Sequence, residues 1–498
     1  MKRPARLPGG RGASSSGHMN PEDPEITGTM EEEHMPAAIR TVLTRAACLL
    51  PILAICSTPS LVAQEELPNF LPSSIIPNYD RIRIGQNEGL EGSAFVARTG
   101  DASSNWYNPA GLASSDGSAL NASANAYEYT SITSEGLDMK FGSGRFRSIG
   151  TFFGAVIGSP ILKGRTVRLG FSLTKPVVWS PGAVVSAGEF DVPGTGEETI
   201  TTSSKVSMST SVPAINAGFR LSDNLRLGAG TSMSITDIST VQQFTDRLLT
   251  PSFESRALRS LILDGNVWQL QFTGSAQWEI TDAIAVGAMA TSPGLQLSGS
   301  GLAEYQAVTG LPAGSVDILF HDTTASFEYK LPFRVVGGVA VSFGRFEVEA
   351  DVRYYGSVED YNLIDSELPV RIVVSDASGT PSVSEQPIEP LVEETRAVTN
   401  VAIGGNYSFS DSFRLHVGFF TDNSPVGNPE TSIFRTVDLM GLSGGVSFGG
   451  RLSGSLGFST SWGTTDERLI GPTLGGLTST SKVGITTFNL HYSISYAF

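Results

Sequence analysis

The chain has 498 residues, 55 of them glycine, and a formal net charge of −16. Such an acidic balance excludes a nucleic-acid surface, which needs basic patches. The 2 cysteines, Cys48 and Cys56, both lie near the N-terminus, so the rest of the chain has neither a disulfide framework nor thiol chemistry.

In chain order, residues 1–34 fit no part of a signal peptide and read as an upstream extension, with Met35 as the expected start. Arg40 and Arg45 precede an apolar run from Ala46 to Ile55, and small residues follow to Ala63. That is a charged region, an apolar region and a cleavage site between Ala63 and Gln64. Leu53-Ala54-Ile55-Cys56 has a lipobox flavour, but Ile55 stands where a small residue is wanted. Residues 1–63 are therefore read as extension and signal peptide. No later stretch approaches the roughly eighteen apolar residues of a membrane helix.

Residues 64–115 are rich in Pro, Gly and Ser and show little alternation. Such a segment can hang beside a following domain or fold inside it. From 116 to 498 strands follow in a regular rhythm, near 118–129, 146–158, 166–177, 206–221, 224–238, 266–280, 284–296, 322–343, 346–356, 396–409, 413–423, 437–448, 452–462 and 485–498. Short turns, as at Ser222-Asp223-Asn224 and Gly344-Arg345, alternate with long polar connections, among them 178–205, 239–265, 297–321 and 357–395. Strict parity of short and long connections is the habit of a transmembrane barrel, with short turns on one side and long loops on the other. The fold class is all-β: a transmembrane antiparallel β-barrel of about fourteen strands.

Two strands carry the argument. In Phe346–Tyr354, Phe346, Val348, Val352 and Tyr354 share one face, and Glu347, Glu349, Asp351 and Arg353 the other. Three carboxylates cannot face lipid, so they face the lumen, where Arg334 and Arg414 are candidate partners. They serve there either as a charge network holding walls together or as part of a path. In the last strand every even position from Phe488 to Phe498 is apolar or aromatic, and every odd one small or polar. This is the period of a strand between grease and a wet or packed interior. A soluble sandwich could produce the same alternation, but a chain stopping on such a Phe more often reads as the closing strand of a bacterial outer-membrane barrel.

The stretch Gly92-Ser93-Ala94-Phe95-Val96-Ala97-Arg98 to Asp101-Ala102-Ser103 and Asn108-Pro109-Ala110-Gly111-Leu112 has small residues suited to close backbone packing and ends on an Asn-Pro turn signal. It resembles the N-terminal hatch of the FadL/TodX family of outer-membrane transporters for long-chain fatty acids and aromatic hydrocarbons. Weaker echoes lie at Lys330-Leu331-Pro332-Phe333, with its hairpin, and at Asp422-Asn423-Ser424-Pro425-Val426. The resemblance implies a plug formed by 64–115 inside the barrel, shaped at Asn108, Pro109 and Ala110. It implies ligand capture between long outer loops. Here 239–265 carries Phe244, Leu248, Leu249 and Phe253, partly at helical spacing, with loop-to-loop packing as the competing reading. It also implies lateral release at a kinked early strand, for which Pro176 supplies a local cause. Pro213 and Pro332 compete with it, as does a simple strand end. Arg98, with Arg81 and Arg83 nearby, is the hatch cation that could meet a ligand carboxylate, although none of the three aligns with a family contact.

Gly441-Leu442-Ser443-Gly444-Gly445 matches a nucleophile-elbow pattern but lies in a Gly-rich strand, without the strand-to-helix turn or partners that chemistry needs. His321, His416 and His491 stand alone, so no metal site and no cofactor are expected, and the last two point inward by parity as polar filler. The expectation is a non-enzymatic, monomeric, passive carrier in the bacterial outer membrane, in contact with its lipid and binding a hydrophobic small molecule. The alternative is a barrel of the same fold serving secretion or surface attachment. A general porin is a third reading, which the plug disfavours.

Overall fold

The computed structural model describes residues 78–498 except 116, 136–139, 146–148, 159–166, 193–195, 389, 428–436 and 471–478. The expected signal segment 1–63 and the first part of the expected plug, 64–77, lie outside the described residues.

The strands in chain order are β1 (Ala119–Glu135), β2 (Lys140–Arg145), β3 (Ile149–Ile157), β4 (Val167–Val192), β5 (Gly196–Arg220), β6 (Leu225–Leu249), β7 (Glu254–Thr281), β8 (Ile284–Thr291), β9 (Leu295–Leu311), β10 (Gly314–Phe327), β11 (Arg334–Phe343), β12 (Phe346–Tyr355), β13 (Val358–Asp365), β14 (Pro369–Asp376), β15 (Pro381–Pro387), β16 (Leu391–Thr395), β17 (Val398–Ser410), β18 (Phe413–Asp422), β19 (Leu439–Gly449), β20 (Leu452–Ile470) and β21 (Ser479–Ala497).

Antiparallel pairing runs from β1 to β3, through β4, β5, β6, β7, β8, β11, β12, β17, β18, β19, β20 and β21. β21 then pairs with β1, from Ala119↔Ala497 to Glu135↔Lys482, and closes a ring of 14 strands. Each of the fourteen expected strands maps onto one member of this ring. Closure leaves no sheet edge for lipid to meet.

The outer surface of the ring is apolar. Phe153, Phe171, Ile215, Val352, Val417 and Ile494 are all exposed on it. Along β21, Phe488, Leu490, Tyr492, Ile494 and Tyr496 face out, while Thr487, His491 and Ser493 are buried inward. At the short-turn end, Phe343, Phe346, Tyr407, Phe409 and Phe413 form a row with successive ring centroids 4.6–5.7 Å apart. Such a row suits the level where hydrocarbon gives way to head groups.

Three expectations need correction. The long connections 178–205, 239–265 and 297–321 are not polar loops: β4 to β7, β9 and β10 run on through them as paired strands. In β6 the even positions from Thr240 to Leu248 are buried while Val241, Gln243, Thr245, Arg247 and Leu249 are exposed. The apparent helical spacing of Phe244 and Leu248 is two steps of a strand, since a separation of four satisfies both periods. The expected strand 322–343 is divided, with β10 ending at Phe327 and β11 starting at Arg334 beyond Pro332. Likewise β8 stops at Thr291 before Pro293, and β9 begins at Leu295. Proline cannot donate to a ladder, which accounts for both breaks.

Beyond the ring, β9 pairs with β7 and β10, β10 with β13 and β14, β14 with β15, and β13 with β16. This outer extension has an apolar core. It includes Met208, Ile238, Val267, Phe320, Phe327 and Leu363, each at most 2% exposed.

Candidate functional site

Residues 78–115 are almost wholly buried and are enclosed by the ring. Their regular structure is brief: a 3-10 turn at Glu88–Glu91, one helical turn at Ser104–Tyr107 and a 3-10 stretch at Pro109–Ser114. Asn108, fully buried, caps that last stretch by accepting from the Ala110 amide at 3.1 Å. Its amide group donates to the Val96 carbonyl at 2.7 Å and to Ala276 of β7 at 3.0 Å. Pro109 follows at the first helical position, where its missing N–H costs nothing. The Ala110 amide also reaches Ser275 Oγ at 3.1 Å. The Asn-Pro-Ala signal therefore ties the segment to the wall as well as turning it.

Small residues do what their size suggests. Gly92 has φ 65°, and a Cβ there would stand 2.7 Å from the Phe419 carbonyl oxygen of β18. Ala94 packs, fully buried, on Ala402 and Phe420.

The inward face of β12 meets this segment. Asp351 accepts from the Phe95 and Val96 amides at 2.9 and 3.3 Å, and Glu349 from the Ala97 amide at 2.6 Å. Glu349 also holds Arg98 at 3.0 Å, and Arg98 pairs with Glu91 as well. Glu91 in turn bonds His416 at 2.6 Å, and His416 bonds Ser447 at 2.7 Å. The acidic face of β12 thus points into the lumen as its alternation requires. Its partners are Arg98 and inner-segment amides, however, rather than Arg334 and Arg414. The cause is that the segment lies between β12 and the rest of the lumen, and its unpaired backbone donors need acceptors. Arg334 stacks on Trp106 instead, 4.9 Å from the ring centroid. Ser443, centre of the elbow-like match, accepts from the Gly92 amide and donates to the Leu90 carbonyl, both at 2.8 Å.

Asp80 forms a second anchor. It accepts from Tyr355 at 2.9 Å and Asn400 at 2.8 Å, and lies 3.6 Å from Arg353. Burial opposes its charge, but Arg353 and Arg83 beside it, with those two hydrogen bonds, hold its carboxyl below the usual range. Glu88 is the contrary case. Burial, with Asp101 nearby, pushes its carboxyl up to about 8, although Ser103 donates to it.

A small cavity lies between segment and wall, bounded by Tyr79, Asp80, Trp106, Pro176, Arg334 and Arg353 among others. Pro176 is inside β4, not at its end, at a bulge between Thr174 and Val177 in the pairing with β5. Alternation fails there: Pro176, Val177, Val178 and Trp179 are all buried. The β3–β4 ladder runs from Ile157↔Leu169 to Phe152↔Thr174 and stops at Thr174, where this bulge begins. Beyond Thr174, β4 has no ladder partner on that side among the described residues.

The expected outer residues are divided. Phe244 and Leu248 are buried, at 8% and 5% exposure, whereas Leu249 and Phe253 are exposed at the hairpin tip. Among the described residues no group of His, Cys, Asp or Glu could hold a metal ion. Sequence reasoning singled out Asn108, Pro109, Ala110, Arg98 and Pro176, all of which lie in or beside this buried interface. It missed Asp80, Glu91 and Ser93. The only trace of them in the chain was the run of inward carboxylates on β12 that had to find donors.

No family model matches the chain, and no curated protein matches it in sequence. Solved structures do. A Pseudomonas aeruginosa FadL homologue superposes with a TM-score of 0.54 at 14% identity, over 85% of this chain and 100% of that one. The chain has the FadL fold. The Pseudomonas putida toluene transporter TodX gives 0.52 at 15% identity, over 84% and 99%. The Ralstonia pickettii toluene transporter TbuX gives 0.50 at 12%, over 84% and 99%. The FadL fold therefore accounts for nearly the whole of each relative at very low identity. The hatch-like signature of residues 92–112 sits in the enclosed segment of this chain.

Proposed function

We propose that the protein is a passive outer-membrane transporter of hydrophobic molecules, long-chain fatty acids or aromatic hydrocarbons, in the bacterial outer membrane. The observation that carries this reading is the cavity between inner segment and wall, which reaches Pro176 where the β3–β4 ladder ends. A ligand gathered by the outer extension would pass its apolar core, enter beside the inner segment, and leave sideways into the membrane at the β4 bulge. Residues 64–115 act as the plug and gate, shaped by Asn108, Pro109 and Ala110. Phe244, Leu248, Leu249 and Phe253 belong to the collecting end. No covalent step and no cofactor is involved, and the working unit is a monomer. Arg98 acts by holding the plug rather than by meeting a ligand carboxylate, since its guanidinium is committed to Glu91 and Glu349.

The test is uptake of labelled oleate and labelled toluene by cells with and without the protein, alongside a Pro176→Val variant. Protein-dependent uptake of either, reduced in the variant, supports the reading. Absence of uptake with a folded barrel sinks it.

A second reading, an accessory role in attachment or secretion, draws on the outer hairpin β14–β15. Residues 381–387 are exposed along their whole length, and β15 pairs with β14 alone among the described residues. Loss of cell-surface binding on deleting 377–387, with uptake unchanged, is what that reading expects.

A further inference from the structure

Three observations meet at one turn of the inner segment. Ser93 is the one non-glycine residue among those described with a positive φ, 68°, and it follows Gly92, also positive at 65°. A residue with a Cβ resists that region, so the turn is held rather than preferred. Next, its holders come from one strand. Arg353 donates to the Ser93 carbonyl, Asp351 accepts the Phe95 and Val96 amides, and Glu349 accepts the Ala97 amide. These three side chains alternate along β12 and are at most 5% exposed. Third, the small cavity adjoins this turn: Ser93, Val96, Asp351 and Arg353 are part of its lining.

We propose that Glu349, Asp351 and Arg353 are a latch, which keeps residues 93–97 in a strained closed turn and whose release is the opening step of the gate. The proposal rests on reading the inner segment as the plug. β12 is paired on both sides, to β11 and β17, so the latch stands on a fixed wall while the segment is the part free to move. Residues 93–97 offer only backbone groups to the latch, and the small Ala94 and Ala97 let that backbone come close. Arg353 is itself set by Asp80 at 3.6 Å and Asp351 at 3.9 Å, which joins the turn to the second anchor. Because Ser93 is strained, loosening the latch lets the turn relax away from the cavity without further work. Charge-assisted bonds in a buried place hold firmly while complete and fail together when one member leaves.

The experiment is hydrogen exchange, read by mass spectrometry, on the full-length folded barrel in detergent. Asp351→Asn and Glu349→Gln keep shape and remove charge. Each is expected to speed exchange at the amides of 95–97 at least tenfold, with β17 to β21 unchanged. Ser93→Gly relieves the strain while leaving the carbonyl in place, and is expected to slow the same amides at least threefold. Unchanged exchange in both charge variants, or faster exchange in Ser93→Gly, overturns the latch. The uptake assay is scored apart. A latch seen in exchange without any uptake defeats the transport reading alone, while uptake with unaltered exchange defeats the latch alone.

Discussion

The lumen and the outer extension solve opposite problems with the same strands. In the lumen, a segment with little regular structure is held by buried ions, amides and hydroxyls: Glu349, Asp351, Arg98, Glu91, His416 and Asn108. In the outer extension, β5 to β7, β9, β10, β13 and β14 close over Met208, Ile238, Phe320, Phe327 and Leu363, with aliphatic and aromatic packing. The first interface is directional, all-or-none and can let go. The second is non-directional and grows with area. A moving part suits the first and a greasy passage the second.

Substitutions that strike each region by its own physics can break this comparison. The largest effect is expected from Arg98→Met, which strands the Glu91 and Glu349 carboxylates in a dry place. The seat of the inner segment should weaken by about 3–5 kcal/mol, seen as protease cleavage within 78–115 while the barrel stays heat-modifiable on a gel. Phe327→Ala should cost the outer extension about 3–5 kcal/mol, seen as cleavage between 296 and 387 with the inner segment still protected. If Phe327→Ala exposed the inner segment as readily as Arg98→Met, the two regions would not be separate. Asn108→Ala removes a cap and two carbonyl contacts and should cost about 1–2 kcal/mol at the seat, measurable by the same proteolysis.

A pH experiment sharpens the contrast, because the inner segment itself carries a strongly shifted acid. Glu88 is raised to about 8 against an ordinary value of 4.5. The folded state therefore binds the extra proton between those two pH values. Its contribution is fully present below pH 4.5, falls as pH rises through the window, and is lost above about 8. Protection of 78–115 should decline from pH 5 to pH 8, and Glu88→Gln should flatten the decline. The smallest effect belongs to Leu258→Ser, on the exposed side of β7, which should change stability by less than about 0.5 kcal/mol in thermal unfolding.

The ring was legible from residue spacing, as β21 and β12 show, because a barrel wall is two-faced at every step. The outer extension was not. Its strands carry Thr, Gln and Asp inward beside Phe and Leu, so hydropathy read them as loops although the period of two continued. The anchors of the inner segment were half legible. Inward carboxylates on β12 demanded donors, but the donors are backbone amides of residues 95–97, which no side-chain pattern announces. Ser93 gave no signal, since strain is a property of the backbone.

The seam between β1 and β21 joins the beginning of the barrel to its end: Ser495 donates to the Leu120 carbonyl across 375 positions of chain. Ser455 reaches Gln86 across 369. What the ribosome makes first therefore waits for what it makes last. Neither the seam nor the seat of the inner segment can form during synthesis, and loop closure over such distances is slow. Until its last strand is available the wall must therefore stay an open ribbon, with unpaired edges and an uncovered apolar face.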